Sequence, residues 1–421
     1  MKPLPARYGL RARYVFSPGA APRAPGWVNI CAGRIESIAT EPAAGPQFDL
    51  GNVAILPGLV NAHTHLEFSD LQQPLGEPGI ELTEWITQLL ALRDAAARPS
   101  YASRVATGIA ESVGCGTVAI ADIVTSESLP ADPLPLDYLA LRELIATGSD
   151  ESAEAILRAR SHLAGPTRKH LRLGISPHAP YSVHARLWEA AIELALEYRV
   201  PLATHLAESR AELEFLAAQS GPFVKFLSRR PGFDASFAPA GRTPLDFLRQ
   251  LVAAPRVLVV HGNYLNPAEI DFLSQQRERL SLVYCPRTHA YFGHLAYPLE
   301  ALLAAGVEVA LGTDGRCSNP DLSIFAEMQF LAANYPRLTG DAILTMGTLA
   351  GARALGVAER MGTLEAGKEA NLALVRLPES RSGEDTYPLL FDSKCAVAGT
   401  LFCGARVAGE ENLFQSPVPS A

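Results

Sequence analysis

The chain has 421 residues, 48% hydrophobic and 19% charged, enough apolar side chain for a large core and too much for global disorder. A formal net charge of −8 without any long Lys/Arg block excludes a nucleic-acid polymer as partner. Six cysteines scattered without a CxxC pair exclude a disulfide framework or a cysteine zinc site, and read as reduced intracellular thiols.

The N-terminal MKPLPARYGLRARYVFSPG is broken by prolines and arginines and lacks the apolar core of a signal peptide. No later stretch approaches the roughly 20 apolar residues of a membrane span. The expectation is therefore a cytoplasmic protein with no membrane partner. WVNICAGRIESIAT (27–40) carries β-branched residues around Ala32-Gly33 and reads as a hairpin. With RYGLRARYVF before it, it predicts a small β-unit, which the chain leaves at Pro57-Gly58.

Strands and helices then alternate. The expected strands are VNAHTH (60–65), TVAIAD (117–122), DYLALRE (137–143), LRLGISPH (171–178), PLATHL (201–206), VLVVHG (257–262), SLVYCP (281–286) and VEVALGTD (307–314). LTEWITQLLALRDAAA, ARLWEAAIELALEY and TPLDFLRQLVAA are helix-like. Eight short apolar strands interleaved with helices predict an α/β fold, a closed (β/α)8 barrel. The alternative, a doubly wound sheet, loses weight because neither GxGxxG nor GxxxxGK[ST] opens a helix. The segment 221–244 is too long for a plain connection and reads as an insertion or lid. MGTLEAGKEANLALVRL (361–377) is strand-like again and is expected to pair with the N-terminal β-unit, and ENLFQSPVPSA reads as a frayed tail.

His63 and His65 stand two apart on the first strand, so both imidazoles face one side at its C-terminal end, which in a barrel is the mouth. Alone, HxH is also read as two polar residues at a strand end. The theme repeats, however: His178, His205 and His261 end later strands and Asp314 ends the eighth. Three imidazoles and a carboxylate suit Zn²⁺, with a position left for water. Glu208 follows His205 by three residues, a place from which a carboxyl can exchange protons between water and substrate.

PGLVNAHTHLEF, SPHAPYS, THLAES, VVHGNYL, the CP at 285–286 and LGTDGRCSNPDLS occur in the order of the amidohydrolase superfamily, which the chain resembles over nearly its whole length. They are most similar to its chlorohydrolase and aminohydrolase branch, which includes guanine, S-adenosylhomocysteine/methylthioadenosine and aminodeoxyfutalosine deaminases. The resemblance implies a barrel at 58–358 and a small β-sandwich domain built from 1–57 and 359–421. It implies that His63, His65, His205 and Asp314 ligate one divalent ion, zinc or iron. No lysine stands in LRLGISPH to bridge a second ion. Glu208 becomes the proton shuttle and His261 the residue that orients the attacking water, with Asp314 sharing that catalytic role. His178 and Asn319 fall beside the substrate.

The implied reaction is hydrolytic deamination of an aminopurine nucleoside, a small-molecule substrate, by an enzyme that a homodimer would suit. A triazine-type chlorohydrolase or N-alkylamine hydrolase keeps the same site and changes the leaving group, and a non-catalytic scaffold ranks last because every ligand survives. Where branch members carry an Asn after the CP, this chain has CPRTHAYFGH. Arg287 and His289 are accordingly expected to read a carboxylate or hydroxyl-rich arm, which favours 6-amino-6-deoxyfutalosine. Trp85 is expected either to stack on a purine or to pack as a core tryptophan.

Overall fold

Ala32 and Gly33 both take positive φ, 50° and 77°, the geometry whose twist matches a two-residue hairpin. They join Gly26–Cys31 to Arg34–Ala39 in antiparallel register. In the computed structural model, which describes residues 4–93, 95, 97–229, 237, 240–379, 386–414 and 417–418, this hairpin belongs to the first of two five-stranded sheets. Its strand order is Pro417–Val418, Gln47–Asp49, Arg7–Ala12, Gly26–Cys31, Arg34–Ala39. The second runs Ala405–Gly409, Ala396–Phe402, Leu372–Arg376, Val53–Pro57, Tyr14–Val15.

Leu10, Val28, Ile55, Leu372 and Leu374 share the core between these sheets. Ala54, Leu56, Ala373 and Val375, the alternate residues of the same strands, pack into the cluster shared with the barrel. VAILP and LALVR are apolar throughout because both faces are covered. The 361–377 segment pairs with the N-terminal unit as expected, through Leu372–Arg376 against Val53–Pro57. The C-terminal segment corrects its reading as a frayed tail: Leu413 is buried in the sandwich core, and Pro417–Val418 adds to the sheet beside Gln47–Phe48.

Eight parallel strands follow in consecutive order: Leu59–Thr64, Thr117–Val124, Asp137–Leu144, Leu171–Pro177, Leu202–Leu206, Val257–His261, Leu280–Tyr284 and Val309–Leu311. The first and last meet through a parallel bridge between Thr64 and Asp314, where both the Thr313 and Asp314 amides donate to the His63 carbonyl at 3.1 Å. That contact makes the sheet a nearly closed barrel. Gly312 permits it, since a Cβ there would lie 3.0 Å from the Cβ and carbonyl oxygen of His63.

Helices Leu82–Arg93, Ala185–Tyr198 and Pro244–Leu251 form where the pattern places them. Tyr101–Gly114, Ser149–Leu163 and Ile324–Asn334 are further barrel helices beyond those three. Ser149–Leu163 buries only small or isolated side chains (Ser152, Ala155, Ala159, Leu163), which leaves little apolar stripe to detect. Of the segment 221–244, residues 230–236, 238 and 239 lie outside the described residues. Its helix Pro222–Leu227 stacks Phe223 on Tyr181, ring centroids 4.0 Å apart.

Candidate active site

The strand ends converge at the bridge between first and last strands. His63 Nε2 lies 3.5 Å from Asp314 Oδ1, and His65 Nε2 lies 3.5 Å from the same oxygen. His205 Nε2 is 3.3 Å from His63 Nε2. Two overlapping groups, His63–His65–Asp314 and His63–His205–His261, each bring their donor atoms within 4.8 Å of one another. His261 therefore belongs to a donor group too, with its ring 5.9 Å from that of His63 where the His205 ring lies 4.9 Å away. All five side chains are buried.

The tautomer of His205 follows from its partner. Nδ1 lies 2.9 Å from the His178 carbonyl, which can only accept, so Nδ1 carries the proton and the Nε2 lone pair points at His63. Burial, reinforced by neighbouring imidazoles, holds His65 and His205 well below the usual histidine range, so both are neutral. Asp314 is held below the usual carboxylate range. Burial opposes this, but the His63 hydrogen bond and the surrounding imidazoles outweigh it. The Ser318 hydroxyl donates to Asp314 Oδ2 at 2.6 Å, leaving Oδ1 to the histidines. Neutral lone pairs and one ionised carboxylate converging in a buried space are the donor set of a divalent cation. The residues fit the metal that the sequence implies.

Backbone strain coincides with the site. His261 and Asp314 take φ of 71° and 56°, left-handed conformations that non-glycine residues rarely adopt. The turn at each strand end lets the side chain face the centre.

Glu208 is buried with Oε1 3.4 Å from His261 Nε2. Burial first, then Asp314 and Glu212, push its carboxyl well above the ordinary carboxylate range. Burial, partly opposed by Asp314, brings His261 down to about 3. A carboxyl whose protonated form burial favours thus faces an imidazole whose neutral form burial favours.

These groups open onto a cavity that Phe68, Trp85, Leu89, Tyr181 and Phe226 line on its apolar side. His178 lines it too, with Nδ1 2.7 Å from Ser182 Oγ. Trp85 joins both of its expected roles: it is buried, its indole N–H donates to the Cys317 carbonyl at 3.1 Å, and it borders the cavity.

Three expected substrate residues fall elsewhere. Arg287 is fully engaged, with Nη1 and Nη2 on the Asp321 carboxylate at 2.9 and 2.6 Å and Nε on Glu327 Oε1 at 2.7 Å. A guanidinium held by two carboxylates has no charge to offer a substrate anion, so Arg287 is structural. Asn319 is completely buried and donates to the Thr313 carbonyl and to Glu327 Oε1, at 2.8 and 2.7 Å, bracing the Asp314 turn from behind. His289 packs against Tyr284, Tyr297 and His294 away from the cavity wall, and burial lowers it to about 4.

Arg287→Ala is accordingly expected to lower stability by about 3–5 kcal/mol, because it strands the fully buried Glu327 carboxylate. A fall in denaturation midpoint, with KM changed alike for anionic and neutral substrates, is the expected result. A selective loss on anionic substrates with unchanged stability would return Arg287 to the site.

Several residues in the site escaped the sequence reading. Asp122, two residues before the end of the second strand, accepts the Leu66 amide at 2.8 Å just beyond His65, and takes the Tyr138 hydroxyl. Burial raises it to about 7. Glu143, near the end of the third strand, lines the cavity. Glu212 is completely buried and accepts the Ala207 and Glu208 amides at 2.9 and 2.7 Å, fixing the backbone of Glu208. The signal for the first two was the one already used for the histidines, an ionisable residue at a strand's C-terminal end.

The model of the Amidohydrolase family matches residues 54–407. Over 344 residues the chain is 30% identical to the 5-methylthioadenosine/S-adenosylhomocysteine deaminase of Moorella thermoacetica, spanning 78% of this chain and 74% of that one. It is also 30% identical over 328 residues to the aminodeoxyfutalosine deaminase of Deinococcus radiodurans, spanning 72% and 73% of the two chains. The crystal structure of an adenosine deaminase from Xanthomonas campestris with bound zinc superposes with a TM-score of 0.79 at 25% identity, over 100% of this chain and 96% of that one.

Proposed function

The chain belongs to the amidohydrolase family, and from that premise we propose that it is a zinc-dependent deaminase releasing ammonia from an aminopurine nucleoside. The observation that carries this reading is the placement of a buried carboxyl, Glu208, 3.4 Å from His261 beside the histidine–aspartate cluster on an apolar cavity. Both 30%-identical relatives described above are named for deamination of adenosine-type nucleosides.

His63, His65, His205 and Asp314 hold the metal, with His261 adjacent. A divalent ion there supplies Lewis acidity that makes water nucleophilic near neutral pH. Glu208 gives its proton to the ring nitrogen beside the amino-bearing carbon, which places positive character on the carbon that water attacks. It recovers a proton from the incoming water, and the second hydrogen of that water passes by way of Asp314 to the departing amine. Water and the aminopurine become the oxo-purine and ammonia. His261 Nε2, facing Glu208 Oε1, orients the attacking water. Asp314, held ionised, accepts one of its hydrogens. Apolar side chains on the cavity wall exclude bulk water, which strengthens each of these interactions.

Among such nucleosides the acid-armed 6-amino-6-deoxyfutalosine has lost the residue that favoured it, because Arg287 is neutralised by Asp321 and Glu327. Zinc-loaded protein assayed for ammonia against adenosine, 5-methylthioadenosine, S-adenosylhomocysteine and 6-amino-6-deoxyfutalosine is expected to turn over at least one with kcat/KM of about 10⁴ M⁻¹s⁻¹ or more. Chloride release from a chlorotriazine, with no ammonia from any nucleoside, would overturn the reading in favour of a chlorohydrolase.

A further inference from the structure

Away from the metal cluster and Glu208, the charged groups on the cavity wall are Arg93 and Glu143. Arg93 comes from the helix Leu82–Arg93, and Glu143 lies near the end of the third barrel strand. The Glu143 side chain is only 6% exposed. Its carboxylate takes no hydrogen bond from the described residues, and the Arg93 guanidinium stands off at 3.5 Å. Arg93 makes its closer contact elsewhere: its Nη2 donates to Glu67 Oε1 at 2.6 Å, while its buried Nε has no hydrogen-bond partner among the described residues. Glu67, itself buried, also accepts the Thr125 hydroxyl at 3.1 Å.

One guanidinium therefore stands between two carboxylates, and its hydrogen bond goes to Glu67. What this corner of the cavity offers a ligand is the unused lone pairs of Glu143. A buried carboxylate without donors is costly, and a ligand that brings O–H or N–H groups relieves that cost. A ligand that brings another anion increases it.

We propose that Glu143 is a specificity residue that accepts hydrogen bonds from the vicinal hydroxyls of the substrate's ribose, and that Arg93 serves as its counter-charge. The inference rests on the nucleoside reading. Two adjacent hydroxyls match two carboxylate oxygens, each bond charge-assisted.

The test is binding, which needs no turnover. Dissociation constants of inosine and 2′,3′-dideoxyinosine are measured by titration calorimetry on zinc-loaded wild type, Glu143→Ala and Glu143→Gln. Wild type is expected to bind inosine about 10–100-fold more tightly than the dideoxy compound, which is about 1.4–2.8 kcal/mol. Glu143→Ala should erase that preference without changing affinity for dideoxyinosine. Glu143→Gln, which keeps the shape and one acceptor, should retain part of it. No preference in wild type, or equal loss of both ligands in the variants, overturns the proposal. The two readings separate cleanly. A diol preference that depends on Glu143, without ammonia release from any aminopurine nucleoside, removes the deaminase reading and leaves the diol contact standing. Ammonia release without the preference removes the diol contact alone.

Discussion

His205→Ala is expected to release most of the bound metal and to abolish turnover. Of the donors at the centre, His205 is the one whose proton position is fixed by a backbone carbonyl, so its lone pair is permanently presented. Alanine there leaves His63 facing an empty volume, and nothing else on the fifth strand reaches in. Changing a group that merely supports a metal ligand costs about 10–100-fold in affinity, and loss of a ligand itself should exceed that. His63→Ala and His65→Ala should behave alike, because both face the same Asp314 oxygen. Metal content by elemental analysis and ammonia release are the measurements. Full occupancy with a near-normal rate in His205→Ala would remove the assignment.

Glu208→Gln should separate chemistry from assembly. The amide keeps the shape of the side chain but cannot hand over an acidic proton, so kcat should fall by about 10²–10⁴-fold, the usual worth of general acid–base catalysis. Metal content and KM should barely move, because the backbone at 207–208 is fixed independently by Glu212. More than about a tenth of wild-type turnover would mean that another group carries the proton.

The barrel was legible because its signal is repeated: each strand is a short apolar run, and burial on both faces leaves little room for anything else. The metal cluster was legible for the related reason that an imidazole at the end of such a run contrasts with its surroundings. Arg287 contrasts just as strongly, yet its partners Asp321 and Glu327 stand 34 and 40 residues away, and sequence position does not show that a charge is already spent. Asn319 and His289 fail similarly. Both belong to motifs that border the site, and a turn of backbone decides on which side of the strand end a side chain lands. Asp122 and Glu143 were missed by applying the strand-end rule to the histidines and Asp314 alone. Glu212 gave no signal, since a glutamate in the first turn of a helix is usually solvated and this one instead turns inward to two amides.

The seam between the first and last barrel strands has a bearing on how the chain matures. The Thr64 hydroxyl donates to the Asp314 carbonyl across 250 residues of sequence, and His63 and His65 meet Asp314 across the same seam. Pairing so distant must meet a large loop-closure cost before it is rewarded, which places it late in folding. A nascent chain therefore exposes His63 and His65 long before their carboxylate partner has been synthesised, and an ion arriving early meets two imidazoles on an unfinished sheet. On the proposed ligand set, loading of the metal and closure of the ring become one event, and the ion joins the first barrel strand to the last.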